Sequence, residues 1–235
     1  MIVGVLAFQG DFAEHIQVLH SLRVPAIEVR SLEDLSKVSA LIIPGGESTV
    51  IGKFLQESGV GKEIVRRVAL RPLPRLRPAP LPSRERGASL DSAQKNSIPL
   101  HPEGGGVAPE RRGGGTESLI VYGTCAGAIL LAKKVTGKNA PKTLGLIDAT
   151  LERNAYGTQI DSFEAELKIS GIQKPVPVAF IRAPKITHVG KNVEVLAKFR
   201  GEPVLIRQGN VMIGTFHAEV RVSSEVHKLF LAMTR

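Results

Sequence analysis

The sequence predicts an α/β fold with a mostly parallel central sheet, and three features point to it. Residues 2–8 (IVGVLAF) and 40–43 (ALII) are unbroken apolar runs, as expected of strands buried on both faces. Segments of helical spacing alternate with such runs in a β-α-β-α-β-α order. Glycine-rich turns, Pro44-Gly45-Gly46 and Gly123-Thr124-Cys125-Ala126-Gly127, stand where a strand hands over to a helix.

Taken in order, the first strand at 2–8 is followed by Asp11, a candidate N-cap with Glu14 completing a capping box. Phe12, Ile16, Leu19 and Leu22 then recur at helical spacing, which places His15 and His20 on a helix as surface or partly packed residues. Residues 26–30 read as the second strand. Ser31 caps a short helix to Val38, and 40–43 form the third strand. Pro44-Gly45-Gly46 breaks it, and 48–58 is helical. A further strand at 118–122 enters the turn 123–127, and a helix is expected over 128–135. The remainder reads mostly as strands, at 163–169, 176–181, 193–199, 203–208 and 211–216. Ser223 caps a last helix to Met233, which carries His227.

The chain has 235 residues, 43% of them apolar, enough for a sizeable core. No apolar run approaches the ~20 residues of a membrane-spanning helix. The opening apolar run is short and has no Lys or Arg before Arg23, so neither a membrane span nor a secretory signal is expected. The single cysteine, Cys125, excludes an internal disulfide and a cysteine-based zinc site and fits a reducing cytoplasm. The formal charge of +9 reads as a solvated basic surface: with no Trp, two Tyr and no row of basic residues interleaved with aromatics, nucleic acid is not an expected partner. Residues 70–117 break the α/β pattern. They hold eight of the fifteen prolines, two glycine triplets, seven arginines and no aromatic residue. Such a segment can bury little, so the chain reads as one domain, 1–235, interrupted by a disordered insertion.

The chemistry centres on Cys125. Gly-x-Cys-x-Gly between a strand and a helix is a nucleophile elbow with sulfur in place of a hydroxyl. The helix that follows aims N–H groups at the sulfur, which favours a thiolate, and the N–H of Ala126 is placed to donate to an oxyanion. A thiolate nucleophile needs a base. Among the six histidines, His217 follows an apolar strand and stands two residues before Glu219. On extended chain both side chains leave the same face, so the carboxylate can orient the imidazole towards the cysteine. His101-Pro102-Glu103 has the same spacing but lies in the Pro/Gly-rich segment, without a strand to hold it. Gly46 to Lys53 resembles a phosphate loop, but its glycine spacing is wrong and Phe54 stands where Ser or Thr is needed. Pro44-Gly45-Gly46-Glu47-Ser48-Thr49 offers bare backbone to a ligand at the sheet edge where the elbow also lies.

Several motifs occur together in order: Leu6-Ala7-Phe8-Gln9-Gly10, Pro44 to Thr49, Gly123 to Gly127, Glu152-Arg153-Asn154, Asp161-Ser162-Phe163-Glu164, Phe180-Ile181-Arg182-Ala183-Pro184 and Phe216-His217-x-Glu219. Throughout the chain outside 70–117, the sequence resembles the family of glutaminase subunits of pyridoxal 5′-phosphate synthase (PdxT/SNO), which are class I glutamine amidotransferases. The resemblance implies a flavodoxin-like three-layer α/β/α sandwich and hydrolysis of L-glutamine to L-glutamate and ammonia, with no metal or cofactor. Cys125 would be the nucleophile, His217 the general base and acid, and Glu219 the orienting carboxylate. Gly46, Glu47, Ser48, Arg153, Ile181 and Arg182 would form the glutamine site, with the N–H groups of Gly46 and Ala126 at the oxyanion. The implied partner is a ring-forming synthase subunit that takes up the ammonia and switches the glutaminase on. The chain departs from the family pattern at Ala218, where proline is usual, at Thr158, where arginine is usual, and in the insertion. Ala218 is expected to loosen the His217–Glu219 register, since proline would fix φ. Two other readings are a glutaminase serving a different synthase and a regulatory subunit that has lost turnover.

Overall fold

Strands that must be buried on both faces need helices on both sides, and the chain supplies them. The computed structural model describes residues 1–70, 118–153, 162–221 and 223–233. The insertion from residue 71 to 117, including His101, lies outside the described residues, as do Asn154, Thr158 and Asp161. Strands β1 (Val3–Leu6), β2 (Ala26–Val29), β3 (Ala40–Ile43), β4 (Ile120–Thr124), β10 (Glu194–Phe199), β11 (Glu202–Gln208) and β12 (Val211–Gly214) make the central sheet, in the order β10-β11-β12-β4-β3-β1-β2. The pairs from β12 to β2 are parallel, and β11 and β10 add antiparallel at one edge. The parallel part, β2-β1-β3-β4-β12, has the strand order of flavodoxin-like folds.

Alternate residues of each buried strand feed different cores. Leu41 and Ile43 of β3 join Val121 of β4 and Ile213 of β12 on one face. There they meet α2 (Leu32–Ser36), α3 (Ser48–Glu57), α4 (Val60–Ala69) and α5 (Ala126–Leu131) through Leu35, Ile51, Ile64 and Leu130. Ala40 and Ile42 join Ile120, Tyr122 and Met212 on the other face, against Leu19 of α1 (Phe12–Ser21) and Phe230 of α6 (Glu225–Ala232). Two smaller sheets complete the layers. One pairs β5 (Ala132–Thr136), β6 (Ile147–Glu152) and β9 (Lys185–Val189); the other is the hairpin β7 (Phe163–Leu167) and β8 (Val176–Phe180).

Four sequence expectations need correction. The helix after the elbow ends at Leu131, and Ala132 to Thr136 turn extended to pair with β6. Strands β6 and β9 lie outside the predicted elements; β6 alternates buried and partly exposed residues and so lacks the unbroken apolar run of a strand covered on both faces. Asp11 occupies the N-cap of α1 but makes no side-chain cap bond, its carboxylate being turned elsewhere. Ser223 does not cap α6, whose N-cap is Ser224, again without a side-chain bond.

Candidate active site

The parallel strands deliver one residue group each to a common edge. The loop after β1 carries Gln9 and Asp11, the loop after β3 carries Gly46 to Ser48, the end of β4 carries Cys125, and the chain beyond β12 carries His217. All lie at carboxyl ends of adjacent parallel strands, where open α/β sheets bind ligands. They line a cleft of about 390 Å³ together with Ala126, Ile129, Arg153, Ile181, Arg182 and Val220. The cleft therefore gathers all the sequence-predicted site residues except Glu219, which is buried directly behind it.

Cys125 sits at the N-cap of α5 with φ 47° and ψ −101°, a conformation that a residue with a Cβ holds only under strain. Neighbouring backbone holds it there: its N–H donates to Gly214 O of β12 at 2.9 Å, and its carbonyl accepts from Ile129 N–H at 3.2 Å. The elbow glycines allow the close approach. A Cβ on Gly127 would come within 2.0 Å of Ile43 O, so only glycine lets α5 start this close to β3. The sulfur is nearly buried and lies 3.8 Å from Ile181 O.

His217 is placed differently from the sequence expectation. β12 ends at Gly214, so the histidine does not ride on that strand. A bridge to β8 fixes it instead: His217 N–H donates to Ala179 O at 2.7 Å, and Ala179 N–H donates to His217 O at 2.9 Å. Glu219 opens a 3₁₀ turn, Glu219–Arg221, so the pair meets through a turn rather than along one strand face. His217 Nδ1 and Glu219 Oε1 are 2.7 Å apart, and both residues are buried. Ala218, fully buried between them, does not open the register that proline was expected to fix.

Sequence reasoning missed Asp11, Gln9, His15 and His227. Asp11 Oδ2 lies 3.3 Å from His217 Nδ1, so the imidazole faces two carboxylates. Burial works against the charged imidazole, but hydrogen bonding with Asp11, Cys125 and Glu219 outweighs it and holds the His217 pKa far above its ordinary 6.5. Burial likewise opposes the Glu219 carboxylate. The neighbouring His15 and the bond to His217 outweigh it and keep the carboxyl well below its ordinary 4.5. Ligand atoms of Asp11, His217 and Glu219 lie within 4.8 Å of one another. The 2.7 Å between Nδ1 and Oε1 is that of a shared proton, and a metal ion at ~2.1 Å from each would have to part them. In the same cleft, Gln9 Oε1 accepts from Glu47 N–H at 2.6 Å. Glu47 Oε1 accepts from Thr49 N–H at 3.0 Å and from the Arg153 guanidinium at 3.1 Å. The Thr49 bond and then Arg153 hold the Glu47 carboxyl below its usual value. Gly46, at φ +143°, brings its backbone against Gln9, where a Cβ would lie 2.6 Å from Oε1.

His15, expected to be surface or partly packed, is fully buried, as is His227 of the last helix; His20 is exposed. Burial pushes the His227 imidazole down to about 3 and lowers that of His15. His227 is therefore neutral in the fold and His15 is held toward its neutral form, whereas the unfolded chain takes up their protons as pH falls through about 6.5. The unfolded state then binds more protons, so stability falls with pH below about 6.5. Glu219 adds its own loss only below about 4.5, and the raised His217 contributes no slope in the window between. The melting temperature is expected to drop steadily from pH 6.5 to 4.5, and His227→Gln to flatten that slope. A flat wild-type profile in this window would contradict neutral burial of the two histidines.

The geometry agrees with what this chain resembles. A model of the SNO glutamine amidotransferase family matches residues 5–74 and 115–235 and leaves out most of the insertion. The pyridoxal 5′-phosphate synthase subunit PdxT of Pseudothermotoga lettingae is 37% identical over 233 residues, covering 99% of this chain and 95% of the relative. PdxT of Thermus thermophilus is 39% identical over 232 residues, covering 99% of this chain and 97% of its own length. A solved glutamine amidotransferase superposes with a TM-score of 0.76 at 37% identity, covering 99% of this chain and 98% of its own. A chain in the structure of PurLQS from Thermotoga maritima, at 14% identity, covers all of this chain and 99% of its own with a TM-score of 0.59, and shares the fold alone. With a family model that matches most of its length and relatives 37% and 39% identical over 99% of it, the chain belongs to the SNO glutamine amidotransferases.

Proposed function

We propose that the chain hydrolyses L-glutamine to L-glutamate and ammonia as the glutaminase subunit of a pyridoxal 5′-phosphate synthase. The observation that carries this reading is the strained Cys125 elbow sharing one cleft with the buried His217–Glu219 pair. Cys125 Sγ attacks the side-chain amide carbon of glutamine. The N–H groups of Ala126 and Gly46 receive the oxyanion, and His217 protonates the departing nitrogen, which leaves as ammonia. A γ-glutamyl thioester remains. Water, deprotonated by His217, attacks it and releases glutamate and the thiolate. Glu219, on Nδ1, orients the ring so that Nε2 serves the sulfur. Gly46, Glu47, Ser48, Arg153, Ile181 and Arg182 hold the glutamine; the Glu47–Arg153 pair lines the same cleft as the elbow.

The relatives' name, a subunit of pyridoxal 5′-phosphate synthase, supports a partner subunit, for which a ring-forming synthase of the PdxS/SNZ type would take up the ammonia. The single cysteine supports a reducing cytoplasm as the place where the pair works. Among the described residues no helix is long and apolar enough to cross a membrane. Ammonia release from glutamine is expected to be slow for the isolated chain and to rise at least about tenfold when that synthase is added. Full turnover by the isolated chain, unaltered by the synthase, would contradict partner control.

The catalytic domain runs through 1–235, with 70–117 as an interruption. Its flanks support this: Leu119 N–H donates to Arg67 O at 3.3 Å, so the chain re-enters the fold where it left. The Arg67 side chain, buried, fastens that point to Leu35 O and Val38 O. Replacing residues 71–116 by a short Gly-containing loop removes roughly three doublings of loop length, or about 2 kcal/mol of closure entropy. The melting temperature is expected to hold or rise and ammonia release to persist. Unfolding of the shortened chain would assign the segment a structural role.

A further inference from the structure

Glu219 is gripped from behind as well as from the cleft. His15 Nε2, on α1, lies 3.6 Å from Glu219 Oε1, and both side chains are fully buried. His15 Nδ1 in turn lies 2.9 Å from His227 Nε2 on α6. The Tyr122 ring stands nearly perpendicular to both imidazoles, at 6.4 and 6.3 Å between centroids. Neither histidine lines the cleft, so neither touches substrate. Burying two imidazoles there costs more than burying apolar residues of the same size, unless they serve the ion beside them.

We propose that His15 and His227 are positioning residues, a neutral histidine relay that fixes the Glu219 carboxylate and through it the His217 ring. This rests on the glutaminase reading for its kinetic consequence, though not for its chemistry. The carboxylate at Nε2 draws the His15 hydrogen to that nitrogen. At 3.6 Å the contact is an ion–dipole one, longer than a full hydrogen bond. Nδ1 of His15 is then a bare acceptor and takes the hydrogen of His227 Nε2. The charged and titratable groups facing His15 are Glu219, His217, Asp11, Glu14, His227 and Tyr122; those facing His227 are His15, Glu219 and Tyr122, with the Ser223 backbone beside it. The relay thus ties α1, α6 and the 3₁₀ turn to one carboxylate oxygen. Without the His15 imidazole, Glu219 is buried with one favourable dipole fewer and takes a larger share of the proton it holds with His217. The imidazolium that stabilises a Cys125 thiolate is then weakened.

The test uses His15→Leu and His15→Gln in the full chain, with two readouts. Ammonia release in complex with the synthase gives kcat and KM. Alkylation of Cys125, the sole cysteine, by iodoacetamide across pH reads the cysteine–histidine pair without glutamine or partner. His15→Leu is expected to lower kcat about tenfold or more, to leave KM within about twofold, and to move the alkylation half-point upward. His15→Gln, whose amide N–H can take the Nε2 position, recovers most of both. If His15→Leu does not fold, His15→Gln against His15→Asn carries the test: Asn reaches only the Nδ1 position and behaves as the loss. A half-point unmoved in His15→Leu, or Gln no better than Leu or Asn, overturns the relay. A wild-type complex that releases no ammonia overturns the glutaminase reading instead, and the alkylation profile still decides the relay.

Discussion

Cys125→Ala is expected to abolish glutamine hydrolysis, with a fall of at least about 10⁴-fold in kcat, while the melting temperature stays within a few degrees of wild type. No other cysteine exists to substitute for it. Neither the oxyanion N–H groups nor the His–Glu pair can form a covalent bond to the substrate in its place. The fold survives because the strain at this position belongs to the backbone. Alanine meets the same φ of 47° as cysteine, and the elbow is held by the bonds of Cys125 N–H to Gly214 O and of its carbonyl to Ile129 N–H. The lost sulfur leaves only a small gap at the cleft surface. Ammonia release by the complex, together with a thermal melt, checks both halves; undiminished release from Cys125→Ala removes the mechanism.

His217→Asn is expected to cost about 10³- to 10⁴-fold in kcat, and unlike the cysteine change it also destabilises the fold. The loss of rate follows from removing the group that reaches both the sulfur and Glu219. The loss of stability follows from burial: Glu219 keeps its charge because His15 and His217 face it. Asparagine is shorter and cannot keep the 2.7 Å contact, so a buried carboxylate loses its main partner. Removing one partner of a buried ion pair costs about 3–5 kcal/mol, which a thermal or urea melt would resolve. Glu219→Gln should keep most of the stability, since it removes the charge together with the need for a partner, yet still lower kcat by misplacing the ring. Equal stability in His217→Asn and wild type would show that Glu219 is not held by this pair.

Much of this site could be read from sequence because its parts are local. The elbow is five consecutive residues, Gly123 to Gly127, and the glycine turn after β3 is another short run. The core strands announced themselves by unbroken apolar runs, since a strand covered on both faces has no polar side to alternate with. What escaped was non-local or ambiguous in period. Ala132 to Thr136 continue a helix-compatible stretch, and only pairing with β6, absent from the local sequence, makes them a strand. Asp11 stood where a cap is usual, and nothing local reveals that Gly45 and His217 fold back over it. His15 shares the apolar stripe of Phe12 and Leu19, and His227 follows Val226 and precedes Phe230 by one turn. That stripe was a signal of burial, but the contact between the two histidines spans 212 positions and only the fold supplies it. His217 and Glu219 meet as their spacing predicts, but through a bridge to β8 followed by a 3₁₀ turn and not along one strand face, which only the fold supplies.

Covalent chemistry at Cys125 is the step on which the rest depends. The complex with the synthase should be treated with a glutamine analogue that carries an electrophilic diazoketone in place of the side-chain amide, and the chain then digested and mapped by mass. One label per chain is predicted, on Cys125, with ammonia release lost in proportion to labelling and both effects suppressed by excess glutamine. A label on any other residue, or full glutamine turnover by chains whose Cys125 is labelled, would contradict a Cys125 thioester.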